Sequence, residues 1–301
     1  MRKQFCDAMV ARSADPNVLF LTGDLGFMAL EPLRDAMAER FINAGVAEQN
    51  MVSVAAALAG QGFEVWVYSI APFCYARPFE QIRNDVAFHN QRVRLVGNGG
   101  GYGYGVQGPT HHAIEDYGVL LGLPNMTAFV PAFDEDIPDV VQLAGDAAGP
   151  CYVRLGRGEP PPTFEYPGYA SWRRLVRGAN GTVIAVGPLA GTYIACIEAL
   201  PFDRRPSLWA LAHLPVVAHP PPEELLRELA DGGGLCVAEE HVRQGGAASQ
   251  IALYLAEQGV GAVRIRSLHA RAHFYDRSGS QTYLRRLSQL DPDSLREAIA
   301  W

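Results

Sequence analysis

Short apolar runs alternate with segments of helical spacing along this chain, joined by brief turns, and this alternation restricts the fold more than any other feature. Residues 17–22 read Asn-Val-Leu-Phe-Leu-Thr into Gly23-Asp24, and further strands are predicted at 63–68, 92–96, 127–130 and 151–155. Helices are predicted over 5–12, from Glu48 through the small-residue run to Gly60, over 77–89 with Phe79, Ile82, Val86 and Phe88 on its apolar side, and over 114–121 and 134–144. Apolar strands alternating with helices imply a parallel sheet covered on both faces. The text breaks at 156–168, where Pro160, Pro161 and Pro162 can continue neither kind of element. Alternation then resumes, with strands at 182–186, 206–211, 235–239 and 262–265 and helices at 189–200, 222–229 and 247–258. The expectation is an α/β protein of two consecutive domains, each a mostly parallel sheet flanked by helices: 1–160, a linker at 161–178, and 179–301.

A chain of 301 residues suits two domains of ordinary size. Its net charge of −7 is spread without a basic block, which argues against nucleic-acid or membrane-surface partners. Arg2 and Lys3 have no apolar stretch behind them, and no later window is apolar for as long as a membrane span requires, so a cytoplasmic protein is expected. Five scattered cysteines, with no CxxC and no Cys/His cluster, read as buried reduced thiols.

Glu48 is the only charged residue between Arg40 and Glu64, and it stands where an apolar segment turns into a predicted helix. Burial disfavours the charged form of a carboxyl, so a group in this place can hold or share a proton near neutral pH. The alternative is that Glu48 merely complements the helix dipole from the first turn. The glycine-rich stretch 97–108 follows a predicted strand and contains a literal GxGxxG at 103–108. Pro109-Thr110-His111-His112 does not continue a dinucleotide-binding pattern, and a flexible surface loop is the other reading. Adjacent histidines rarely point at one ion, so no metal ligation by this chain is expected. Phe73 is either a core aromatic or a stacking platform for a flat heterocycle. Arg154 and Arg157 lie at a predicted strand end, where open α/β sheets place ligands, and are either anion-binding groups or surface ion pairs.

Three strings carry a resemblance. Gly45-Val46-Ala47-Glu48-Gln49, Gly108-Pro109-Thr110-His111, and the segment from Tyr68 through Phe73 to Arg77-Pro78-Phe79-Glu80-Gln81-Ile82-Arg83 resemble signatures of the transketolases and their thiamine diphosphate-dependent relatives. The resemblance implies that Glu48 hydrogen-bonds and exchanges a proton with N1′ of the cofactor's aminopyrimidine, that Phe73 stacks on that ring, and that His111 faces the substrate and moves protons on its hydroxyls. It also implies that Arg157 holds a substrate phosphate, with Arg154 a second candidate. Arg77, Arg83 and Asp85 are either site residues or interface and surface charges. Several transketolases carry a sugar-contacting His at the start of the glycine loop and an Asp before Gly-Pro-Thr-His; this chain has Gly99 and Gln107 there, which implies altered hydroxyl recognition. Glu239-Glu240-His241 with Gly245-Gly246 resembles a structural stretch of the family's C-terminal domain.

The resemblance extends over the pyrimidine-binding and C-terminal domains but not the diphosphate-binding domain, whose Gly-Asp-Gly motif and magnesium site have no counterpart here. Thr22-Gly23-Asp24-Leu25-Gly26 lacks the second glycine in place. The expectation is therefore the C-terminal subunit of a split enzyme acting on a small-molecule ketose. Thiamine diphosphate and Mg2+ (or Ca2+) would be held mainly by an N-terminal partner subunit, in a two-plus-two heterotetramer. A decarboxylating ligase subunit resembling deoxyxylulose phosphate synthase, a 2-oxo acid dehydrogenase β subunit, and a noncatalytic subunit of the same fold are the alternatives.

Overall fold

The computed structural model describes residues 1–301 except 159, 232, 261, 262 and 272. Its first sheet contains β1 (Val18–Thr22), β2 (Phe41–Asn43), β3 (Glu64–Ile70), β4 (Val93–Asn98), β5 (Thr127–Phe129) and β6 (Cys151–Leu155). The second contains β7 (Trp172–Val176), β8 (Thr182–Val186) and β9 (Ser207–Leu211), while β10 (His213–Leu214) leaves it before β11 (Gly234–Glu239) and β12 (Arg264–His269) complete it. The strand orders are β10-β5-β6-β4-β3-β1-β2 and β12-β11-β8-β9-β7. All pairings are parallel except β10 on β5 and β7 on β9.

The continuous apolar runs are explained by burial on both faces. Leu19, Leu21, Val65, Val67 and Leu95 face the helix Glu48–Gly60, which contributes Met51, Val52, Ala55, Ala56 and Ala59. Phe20, Trp66, Tyr68, Val96 and Val153 face the opposite way, under the helices Arg2–Arg12 and Ile137–Asp146. Each strand thus supplies side chains to two apolar layers, as central strands of a doubly covered sheet must.

The sequence reading missed the strand Phe41–Asn43 and the helices Glu31–Met37, Gln281–Leu287 and Pro292–Ala298, and three further features depart from it. The single helix expected over 77–89 is a short turn at Phe79–Gln81 followed by a π-helical segment, Ile82–Ala87; Ile82 and Val86 are buried as expected, but Phe88 stands exposed. Within the segment expected as linker, Trp172–Val176 forms the edge strand β7, whose Arg173 reaches back to Asp136 of the first half at 2.5 Å. Two residues of the second half, His213 and Leu214, pair with Phe129 and Ala128 and so extend the first sheet. The predicted strand 262–265 begins outside the described residues; β12 is observed at Arg264–His269.

The glycine-rich stretch is only partly at the surface: Gly97, Gly100, Gly101 and Tyr102 are buried, whereas Gly103, Val106 and Gln107 are exposed. It leads into two 3-10 turns, Gly105–Gln107 and Pro109–His111, and its glycines make room for buried polar side chains at the seam between the halves. A Cβ at Gly97 would lie 2.3 Å from the Tyr152 hydroxyl, at Gly100 2.4 Å from Arg154, and at Gly101 2.6 Å from the Glu240 carboxyl. Arg154 pairs with Asp116 at 2.8 Å and donates to the Ala113 and Glu240 carbonyls at 2.8 Å each. Glu240 accepts from the Tyr102 backbone at 2.8 Å and from Arg285 at 2.6 Å.

Candidate active site

Glu48 opens the helix Glu48–Gly60 at the carboxyl end of the first sheet. The loop that delivers it is braced locally. Asn43 at the end of β2 accepts from the Gly45 backbone at 2.8 Å and donates to Asp24, beyond β1, at 3.1 Å. The Asp24 backbone in turn donates to the Gly45 carbonyl at 3.0 Å, and Gly45 takes a positive φ of 68° that an L side chain would resist. The Glu48 carboxyl is buried, as expected, and its neighbour is a cation: Arg77 Nη1 donates to Glu48 Oε1 at 2.7 Å.

Phe73 comes from the short helix Ala71–Tyr75 that follows β3, and Arg77 from the turn after it. The Arg77 guanidinium lies over the Phe73 ring, 3.8 Å from its centroid. His111 sets its imidazole edge-on to the same ring at 5.1 Å, and Tyr104 packs against His111 at 6.5 Å. Glu48, Arg77, Phe73, His111 and Tyr104 therefore form one chain of contacts at the strand ends. Arg77 was legible only as a charge of undecided role, and Tyr104 was not singled out at all.

Tyr104 accounts for the glycine at position 99. A Cβ there would lie 2.3 Å from the Tyr104 ring, and Gly99 has a φ of 77°. The space above the backbone is filled by a phenol whose oxygen accepts from Asn98 at 2.6 Å, and burial raises its pKa above the ordinary tyrosine value. Tyr104 also lines a cleft of about 700 Å³ shared with Arg2, Asn98, Arg157, Ser280 and Gln281. Arg157 is exposed there and Gln107 is exposed nearby on its 3-10 turn. Arg154 does not line this cleft: its side chain is 4% exposed, ion-paired with Asp116 and bonded through Nη2 to the Ala113 and Glu240 carbonyls in the seam.

Behind His111 the polar groups are buried or half-buried. His112 is buried, edge-on to Tyr102 at 5.1 Å and stacked on His273 at 5.8 Å; burial, reinforced by His273, lowers its pKa. Burial opposes ionisation of Glu115, but the hydrogen bonds from His273 and Tyr75 outweigh it and hold its pKa below the ordinary value. Glu240 and His241 are likewise buried, with His241 accepting from the Gly118 backbone at 3.1 Å. Among the described residues no group of three His, Cys, Asp or Glu side chains could hold a metal ion, no helix is long and apolar enough to cross a membrane, and the five cysteines are free and buried.

Two mostly parallel sheets with a buried carboxyl at the strand ends, in a chain bearing these signatures, define the class: the pyrimidine-binding and C-terminal half of a thiamine diphosphate-dependent enzyme. Residues 1–162 match the family "Transketolase, pyrimidine binding domain", more than half of the chain. The chain is 30% identical over 266 residues to one of the subunits of an apulose-4-phosphate transketolase from Phocaeicola vulgatus, covering 86% of this chain and 84% of that one. It is 28% identical to a protein described as a transketolase C-terminal section in Methanocaldococcus jannaschii, over 99% and 95% of the two chains. A solved split-gene transketolase, described as an inactive β4 tetramer, superposes with a TM-score of 0.84 at 29% identity over 99% of this chain and 96% of that one. The chain belongs to the transketolase family, whose members depend on thiamine diphosphate, and corresponds to the separately encoded C-terminal section.

Proposed function

We propose that this chain is the catalytic C-terminal subunit of a split transketolase, transferring a ketol unit from a ketose phosphate to an aldehyde in a site completed by a second subunit. The observation that carries the reading is the geometry around Phe73: a flat cation lies over one face of the ring and bonds a buried carboxylate, with His111 in T-shaped contact with the same ring. A buried carboxyl able to share a proton with a ring nitrogen, close to an aromatic ring that already carries a flat group, suits an aminopyrimidine, so the residues present fit the cofactor. Glu48 would hold and exchange the proton at N1′, Phe73 would support the ring, and the bound cofactor would supply a stabilised carbanion for C–C bond cleavage and formation. His111 would orient a substrate hydroxyl and move its proton, since an imidazole titrates near neutrality. Arg157, with Arg2 in the same cleft, supports an anionic substrate tail, and Gln107, exposed and next in sequence to the cleft-lining Val106, is a further candidate for substrate contact.

The partner subunit would carry the Gly-Asp-Gly motif and hold the diphosphate and Mg2+, with two copies of each chain per complex by the symmetry common in oligomers. Tyr104 filling the space at Gly99 supports a donor whose hydroxyl pattern differs from ordinary pentose phosphates. Apulose 4-phosphate, which the name of the Phocaeicola vulgatus relative carries, is the first donor to assay. The test is calorimetric titration of thiamine diphosphate and Mg2+ into this chain alone and into its mixture with the partner, followed by product analysis. Binding in the mixture only, with ketol transfer and no carbon dioxide, is expected. Carbon dioxide release would instead mark a decarboxylating ligase, and failure of the mixture to bind would overturn the catalytic reading.

A further inference from the structure

The seat read above as that of the aminopyrimidine is filled by the chain's own Arg77. Its guanidinium makes both contacts assigned to the cofactor ring: it lies flat over Phe73 at 3.8 Å, and it donates an N–H to Glu48 at 2.7 Å. A guanidinium and an aminopyrimidine protonated at N1′ are both planar, delocalised cations with an in-plane N–H to offer a carboxylate, so one can replace the other against the same two partners. A ring stacked on that face of Phe73 and bonded to Glu48 would need the space the guanidinium fills, so the two contacts serve one group at a time.

We propose that Arg77 is an intramolecular stand-in for the aminopyrimidine, holding Glu48 and Phe73 in register until the cofactor displaces it. A buried carboxylate without a partner is costly, so the cofactor-free subunit needs a cation at Glu48. The remaining geometry suits a group that leaves. Glu48 is fixed, with a side chain 7% exposed at a helix start, whereas Arg77 is 44% exposed and can rehydrate on release. Arg77 sits in the 76–78 turn between the helices Ala71–Tyr75 and Phe79–Gln81, anchored on either side by buried Tyr75 and Pro78, so side-chain rotation alone clears the seat. Only the fraction of molecules with Arg77 turned out can accept the cofactor, and apparent affinity is reduced by that fraction. The inference rests on the proposed cofactor seat.

Stopped-flow fluorescence of thiamine diphosphate binding at saturating Mg2+ tests it, using the complex of this chain with its diphosphate-binding partner. In the wild type the observed rate is expected to level off with cofactor concentration, at the rate of Arg77 release. Arg77→Met keeps the stem but lacks the flat cation; it should lift that ceiling by about five-fold or more and tighten binding correspondingly. Arg77→Lys, which keeps the charge without the plane, should fall between the two. An unchanged ceiling in Arg77→Met with its melting profile intact, or weaker binding than wild type, would overturn the stand-in role. Glu48→Gln and Phe73→Ala run in parallel separate the two ideas. If both bind the cofactor as wild type does, the seat itself is misassigned and the stand-in falls with it. If both weaken binding while Arg77→Met changes nothing, the stand-in alone fails.

Discussion

Tyr117, from the first half of the chain, donates its hydroxyl to the Glu239 carboxylate at the end of β11 at 2.6 Å. The same carboxylate accepts from the backbones of Ala247 and Ala248 at 2.6 and 3.0 Å, so it caps the helix Ala247–Glu257 while tying that helix to the other half. Both side chains are completely buried. Tyr117→Phe leaves Glu239 one donor short and should lower stability by about 1–3 kcal/mol, read as a shifted urea midpoint. Glu239→Ala should cost more, because two helix-terminal N–H groups lose their acceptor as well.

The Arg154–Asp116 pair separates a structural role from substrate binding. Arg154→Met strands a buried carboxylate and should destabilise the chain by about 3–5 kcal/mol, whereas Arg154→Met combined with Asp116→Asn should recover much of the loss. Chemical denaturation of the three variants checks this. Normal stability in Arg154→Met together with a raised substrate KM would return Arg154 to the substrate side.

Glu48→Gln preserves shape and burial but removes the proton acceptor, so the subunit should fold and assemble while turnover drops by about 100-fold or more. Phe73→Ala should act on binding: loss of specific stacking, about 0.5–1.5 kcal/mol, together with lost burial predicts roughly ten-fold weaker cofactor affinity. Steady-state assays and calorimetry on the complex distinguish the two patterns, and wild-type turnover in Glu48→Gln would remove it from the chemistry.

Gly99→Ala should disturb the site without touching Glu48. The added Cβ meets the Tyr104 ring at 2.3 Å, and the φ of 77° disfavours alanine. The phenol must move, releasing the support it gives His111. A fall in kcat with cofactor affinity unchanged is expected.

His213 gives the chain a pH-dependent stability unrelated to the site. It is stacked between Phe129 at 4.0 Å and His219 at 3.5 Å, with Thr127 and Ser171 as its polar neighbours, and burial pushes its pKa down to about 3. The unfolded chain takes up this proton near 6.5, the folded chain only near 3. The contribution is therefore fully present above pH 6.5 and is lost as pH falls toward 3, at up to about 1.4 kcal/mol per pH unit. His219, whose pKa burial also lowers, adds in the same direction. Denaturation midpoints between pH 7 and 4 should fall less steeply in His213→Gln.

Most of the strand and helix order, the fold class and the candidates Glu48, Phe73 and His111 were legible in the sequence, because each depends on local pattern: an apolar run, a helix start, a short motif; the strand Phe41–Asn43 and the helices Glu31–Met37, Gln281–Leu287 and Pro292–Ala298 were not. What the sequence alone did not determine is which side chains from distant segments meet. Arg77 and Arg154 are both arginines near strand ends, yet one lies half-exposed on Phe73 and the other is buried among Asp116, Ala113 and Glu240. The glycines of 97–108 could be counted, but not the Tyr104, Tyr152, Arg154 and Glu240 side chains that require them. Short edge strands such as β7 and β10 carry too little periodicity to announce themselves and exist because an open sheet edge accepts them. Local propensity sets what each segment is, whereas burial and the pairing of polar groups across the closed fold decide what each side chain does.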